Sequence, residues 1–120
     1  MSYYSSARSV SDLKAHLVLT TKYRRKVLSA QILETLKDNV ARTLGKWGCE
    51  MLEFNGESDH VHLLFRYYPS VQLSKLVNNL KTVSSRKIRK EFFNDLTSIY
   101  GSKKTLWNSS YMKSLNVCYR

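Results

Sequence analysis

Acidic side chains are scarce in this sequence: nine Asp and Glu stand against twenty Lys and Arg, a formal charge of +11. A domain this basic takes a polyanion as partner, nucleic acid first and an anionic membrane surface second. Long apolar runs are missing too, which excludes a transmembrane helix. Residues 1–11 are polar, carry Arg8 and hold no apolar stretch of the kind a signal peptide needs, so the expected location is the cytoplasm. Only two cysteines occur, Cys49 and Cys118, without the CxxC spacing of a redox or zinc motif. In the cytosol they read as reduced, mostly buried thiols, a single disulfide between them being the alternative. Proline occurs once, as Pro69, and there is no internal repeat or low-complexity tract. The 120 residues, 42% of them hydrophobic, therefore suit one domain with a real core.

Periodicity lays out the elements. Residues 1–12 read as a flexible arm. Residues 16–21 are aliphatic and β-branched, as a strand is. Ser29 can cap a helix to about Trp47, with Ile32, Leu33, Leu36, Val40 and Leu44 on one stripe and Gly45 and Gly48 at its end. Residues 49–54 alternate as a half-buried strand does, and Asn55-Gly56 signals a turn into a strand over residues 60–66. Ser70 can cap a second helix whose buried face runs from Leu73 through Ile88 to Phe92. Residues 105–115, with Trp107 and Tyr111, read as the last strand, and residues 116–120 as a short tail. The order βαββαβ predicts an α+β fold, a ferredoxin-like or RRM-like sandwich: an antiparallel sheet with two helices on one face. An ordinary RRM is disfavoured, because its aromatic central-strand signature is missing.

The triplet His60-Val61-His62 carries the chemistry. Strand side chains alternate, so both histidines share one face while Val61, Leu63 and Phe65 turn to the helices. The pair then lies on the open sheet face, where two neutral imidazoles can converge on one cation. Water, a substrate phosphate and a third protein ligand must complete the sphere. Ordinary hydrogen bonding of two histidines is the competing reading, and Glu57, Ser58 and Asp59 just before the triplet are possible outer ligands. A structural zinc site is disfavoured, since His16, Cys49 and Cys118 show no characteristic spacing with the pair.

The stretch His16-Leu17-Val18-Leu19-Thr20-Thr21-Lys22-Tyr23-Arg24 resembles the opening strand of the single-tyrosine HUH transposases. These small enzymes move insertion sequences as single-stranded DNA, and some relatives are associated with bacterial repeats. Glu57-Ser58-Asp59-His60-Val61-His62-Leu63-Leu64 resembles their metal strand, and Leu106-Trp107-Asn108-Ser109-Ser110-Tyr111 their last strand. The resemblance implies that His60 and His62 hold Mg²⁺ or Mn²⁺. It implies attack by a tyrosine on a scissile phosphate, leaving a 5′-phosphotyrosine link and a free 3′-hydroxyl. It further implies a homodimer acting on single-stranded DNA with hairpins at the ends of a mobile element.

One departure concerns the nucleophile. The family carries it in a Tyr-x-x-x-Gln helix after the last strand, and here the sequence closes on Ser114-Leu115-Asn116-Val117-Cys118-Tyr119-Arg120. Tyr119 and Tyr111 are the candidate nucleophiles, neither at the family's position. A truncated copy is the expectation, one that binds hairpin DNA and forms little or no covalent adduct. For DNA contacts, Lys22, Arg24, Arg25 and Lys26 follow the first strand, and Lys81, Arg86, Lys87, Arg89 and Lys90 lie on the second helix. Tyr23, Tyr67 and Tyr68 are candidates for stacking on unpaired bases.

Overall fold

The computed structural model describes residues 13–101 and 103–108, and residues 115–118 as strand backbone. Alternation decides the first strand, β1 (Leu13–Thr20): Ala15, Leu17 and Leu19 are buried and His16 is exposed. Helix α1 (Ala30–Lys46) starts where Ser29 Oγ accepts from the Ile32 N–H at 3.3 Å. It ends at Gly48, whose φ of 74° lets Cys49 N–H return to the Leu44 carbonyl. Strands β2 (Glu50–Gly56) and β3 (His60–Tyr67) form a hairpin, followed by helices α2 (Leu73–Glu91) and α3 (Phe93–Tyr100) and strand β4 (Leu115–Cys118).

The sheet order is β2-β3-β1-β4, with every neighbouring pair antiparallel. This is the ferredoxin-like arrangement expected from the sequence. Leu17, Leu63 and Phe65 from the sheet meet Ile32 and Leu36 of α1 and Leu76, Leu80 and Ile88 of α2 in one continuous core. Each such side chain stabilises the fold by about 1.5–3 kcal/mol through burial. The sheet's other face carries His16, His60 and His62. Among the described residues no helix is long and apolar enough to cross a membrane.

Four boundaries differ from the sequence expectation. Asn55 and Gly56 are not a turn: they end β2, paired with His62 and Val61. The turn is residues 57–59, closed by the Glu57 N–H on the His60 carbonyl at 2.8 Å. Gly56 serves packing instead, since a Cβ there would overlap the Leu33 side chain of α1. Helix α2 starts at Leu73 without a side-chain cap from Ser70, because Val71 N–H turns back to the Tyr68 carbonyl. A third helix, α3, breaks from α2 at Phe92 (φ −120°, ψ 43°) and stops at Gly101 (φ 65°). Leu96 and Tyr100, buried at i, i+4 before that glycine, were the signal for it. The last strand lies at 115–118, partly within the expected tail, and no strand runs through residues 103–106. Leu106 and Trp107 are buried because the chain there crosses the end of β1, with one bridge from Trp107 to Thr21.

Candidate functional site

The open sheet face is assembled in rows. Val18, His62 and Asn55 stand side by side across β1, β3 and β2; the next row holds His16, Leu64 and Glu53. His60 is opposite Thr20 at the end of β3. The His60 and His62 rings lie 5.3 Å apart, centroid to centroid, and nearly perpendicular at 77°. His62 is exposed and His60 partly buried. His16, Glu53, Asn55 and His62 line a shallow hollow of about 200 Å³. Thus His16, set aside on spacing alone, shares the face of the pair; only strand pairing could have revealed that.

Asp59 fixes His60. Its Oδ1 lies 2.8 Å from His60 Nδ1. The hydrogen bond with His60 is the main reason the Asp59 carboxyl is held below its ordinary range; Arg24 helps, against partial desolvation. An ionised Asp59 accepts the Nδ1 proton, which leaves Nε2 as the open lone pair. Asp59 is therefore a neighbour that orients the histidine, rather than one of the solvated loop acids.

The loop bearing Asp59 is clamped to the end of β1. Thr21 N–H donates to the Asp59 carbonyl at 3.0 Å, and Leu28 N–H donates to the Ser58 carbonyl at 2.9 Å. The fully buried Thr21 hydroxyl donates to the Arg25 carbonyl at 2.7 Å. Between them the chain makes a 3-10 turn, Lys22–Arg24, with Tyr23 (φ 60°) and Arg24 (φ 54°) both left-handed. Such a conformation costs roughly 1–2 kcal/mol per residue, so the surrounding hydrogen bonds must hold it. One of them is Tyr100 Oη–H to the Lys22 carbonyl, 2.8 Å. The result is an exposed Tyr23 ring with the ammonium groups of Lys22 and Lys103 at 5.4 and 5.3 Å from its centroid.

The nine cations expected to touch DNA fall into two groups. Arg24 reaches Asp59 at 3.5 Å, so the segment holding Lys22, Arg24, Arg25 and Lys26 stands beside His60. Lys81, Arg86, Lys87, Arg89 and Lys90 lie on α2, packed on the other side of the sheet, and Lys81 comes near enough to Lys22 to feel its charge. There Lys81 donates to the Asn108 carbonyl, Arg89 Nε donates to Ser85 Oγ at 3.1 Å, and Lys87 pairs with Glu91. Lys81, Arg89, Lys104 and Trp107 share a groove of about 330 Å³. Desolvation, with Lys22 adding to it, lowers the Lys81 ammonium from its ordinary value. Of the tyrosines, Tyr67 is buried beside Phe65. Tyr68 stands with Gln72 in a Tyr-x-x-x-Gln spacing. It lies past the far end of β3, about 25 Å from His60 at strand rise. Tyr111 and Tyr119 lie outside the described residues.

Two imidazoles on an open face, one with its tautomer fixed, suit a cation that keeps positions for water or phosphate oxygen. Among the described residues no group of three His, Cys, Asp or Glu side chains surrounds such a position. The donor set fits an open site and not a closed structural one.

Residues 9–115 match the family model described as Transposase IS200 like. The chain belongs to this family. The ISDra2 transposase TnpA of Deinococcus radiodurans is 31% identical to this IS200-like transposase over 102 residues, 85% of this chain and 71% of that protein. A crystal structure of a putative transposase from Deinococcus radiodurans R1 superposes with a TM-score of 0.75 at 29% identity, covering 89% of this chain and 78% of that one. A REP-associated tyrosine transposase bound to a REP hairpin shares the fold at 11% identity, with a TM-score of 0.59 over 93% of this chain and 59% of that one.

Proposed function

We propose that this IS200-like transposase binds single-stranded DNA with hairpins at the ends of a mobile element, and that the face bearing His60 and His62 is its strand-cleavage centre. One observation carries the reading: both imidazoles project from one open sheet face, with the Asp59 carboxylate 2.8 Å from His60 Nδ1. His60 and His62 would hold Mg²⁺ or Mn²⁺, which supplies Lewis acidity toward a scissile phosphate. Lys22, Arg24, Arg25 and Lys26 bind the strand beside them, and Lys81, Arg86, Lys87, Arg89 and Lys90 bind phosphates on the helical side. A tyrosine oxygen forms the new bond to phosphorus, the bond to the 3′ oxygen breaks, and that oxygen leaves as a hydroxyl; the phenol proton passes to solvent. Tyr111 and Tyr119 are the nucleophile candidates. The acting unit is a homodimer.

The deciding experiment incubates the protein with labelled single-stranded end DNA and Mn²⁺, then denatures it. A surviving protein–DNA band that is lost in H60A/H62A, and in Tyr111→Phe or Tyr119→Phe, identifies the centre and its nucleophile. A native complex without any such band makes the chain a DNA-binding relative that does not cleave. Light scattering that gives a monomer at high concentration overturns the dimer.

A further inference from the structure

A second cavity shares no lining residue with the hollow beside His62. It lies where the C-terminal half of α2 meets α3 and the segment after Gly101, and measures about 550 Å³. Its floor is apolar: Leu96 is buried, and Phe93, 64% exposed, is the most exposed large hydrophobic side chain described. Around it stand Arg86, Arg89, Lys90, Lys103 and Lys104, and no acidic side chain lines it. The Phe93 ring is thus open to solvent, with cations and no carboxylate around it. That combination suits a flat apolar body joined to negatively charged groups. Arg89 and Lys104 also line the neighbouring groove beside Trp107, so positive charge continues out of the cavity.

We propose that this cavity receives one unpaired nucleobase of the bound single strand, stacked on Phe93, with the phosphates on either side held by the five cations. The inference rests on the DNA-binding reading above, and it adds an anchor where α2 meets α3, with Lys103 reaching from it to Tyr23 in the turn after β1. A base offers a π-face to any aromatic ring, so stacking needs no particular sequence. The cations neutralise the flanking phosphates, and the volume lies within the range of sites that enclose small ligands.

The test uses the full chain and a fluorescent DNA hairpin with a single-stranded flank, in two forms: natural, and with abasic sites throughout the flank. Wild-type protein should bind the natural flank about tenfold more tightly than the abasic one, the scale of one stacked base. Phe93→Ala should lose that difference and leave binding of the abasic form unchanged, while Phe93→Trp should keep it. A 2-aminopurine placed in the flank should be quenched by wild type and not by Phe93→Ala. Equal wild-type affinity for both flanks overturns the proposal without any variant; so does a tenfold difference that survives in folded Phe93→Ala. If neither DNA binds, the DNA-binding reading itself fails. Hairpin binding that is tight but indifferent to the flank bases removes the pocket alone.

Discussion

The indole Nε1–H of Trp107 donates to Ser84 Oγ at 2.9 Å, inside the core. Ser84 in turn donates to the Leu80 carbonyl one helical turn back at 2.6 Å. The pair ties the segment after α3 to the middle of α2. Ser84→Ala leaves a buried indole donor without its partner, and urea denaturation should show a loss of about 1–3 kcal/mol. An unchanged midpoint would mean that water reaches the indole.

Asp59→Asn should weaken Mn²⁺ binding about 10–100-fold, because the amide no longer fixes the His60 tautomer. Free Mn²⁺ followed by electron paramagnetic resonance measures this directly. Equal affinity in the variant and the wild type would remove Asp59 from the site.

DNA affinity should fall steeply with salt. Each phosphate neutralised on a single strand contributes roughly −0.7 to the slope of log K against log salt. Replacing Arg86 or Lys90 by Gln should flatten the slope by about that amount each, measured by anisotropy at several salt concentrations. A slope near zero in the wild type means that the charge of +11 is not what binds DNA.

Burial pushes both the Cys49 thiol and the Tyr100 phenol above their ordinary values. The unfolded chain therefore loses these protons first, so stability should decline as pH rises from about 9 upward through the folded values. Lys81, lowered by desolvation, works in the opposite direction. Single variants separate the contributions: Cys49→Ala and Tyr100→Phe should each make the alkaline decline shallower in denaturation curves. Native protein should also alkylate at Cys49 far more slowly than unfolded protein, read by peptide mass.

Much of the fold was legible because its signals are local. The stripe from Ile32 to Leu44 and the cap at Ser29 mark α1, and the alternation around His60 fixes the face of both histidines. What escaped depends on contacts between distant segments. Gly56 looks like a turn residue until Leu33 packs over it. Leu106 and Trp107 look like a strand until the chain is seen to cross the end of β1. The link from Thr21 to Asp59 joins residues with no shared pattern in sequence, and the placing of His16 beside His62 follows only from register. The basic residues of α2 were found by composition, but only packing shows that the helix carrying them lies on the face of the sheet opposite His60 and His62.

The central strand has one more consequence. Leu17 pairs with Leu63 on one side and with Leu115 on the other. Closing these seams joins distant parts of the chain, and the ordering entropy is lost before the contacts form. Helix α1 can assemble from neighbours, whereas the β1–β4 seam waits for almost the whole sequence. Until it closes, one edge of the central strand is an open row of donors and acceptors, ready to template a second molecule. Refolding yield should therefore depend on protein concentration even where the native state is stable.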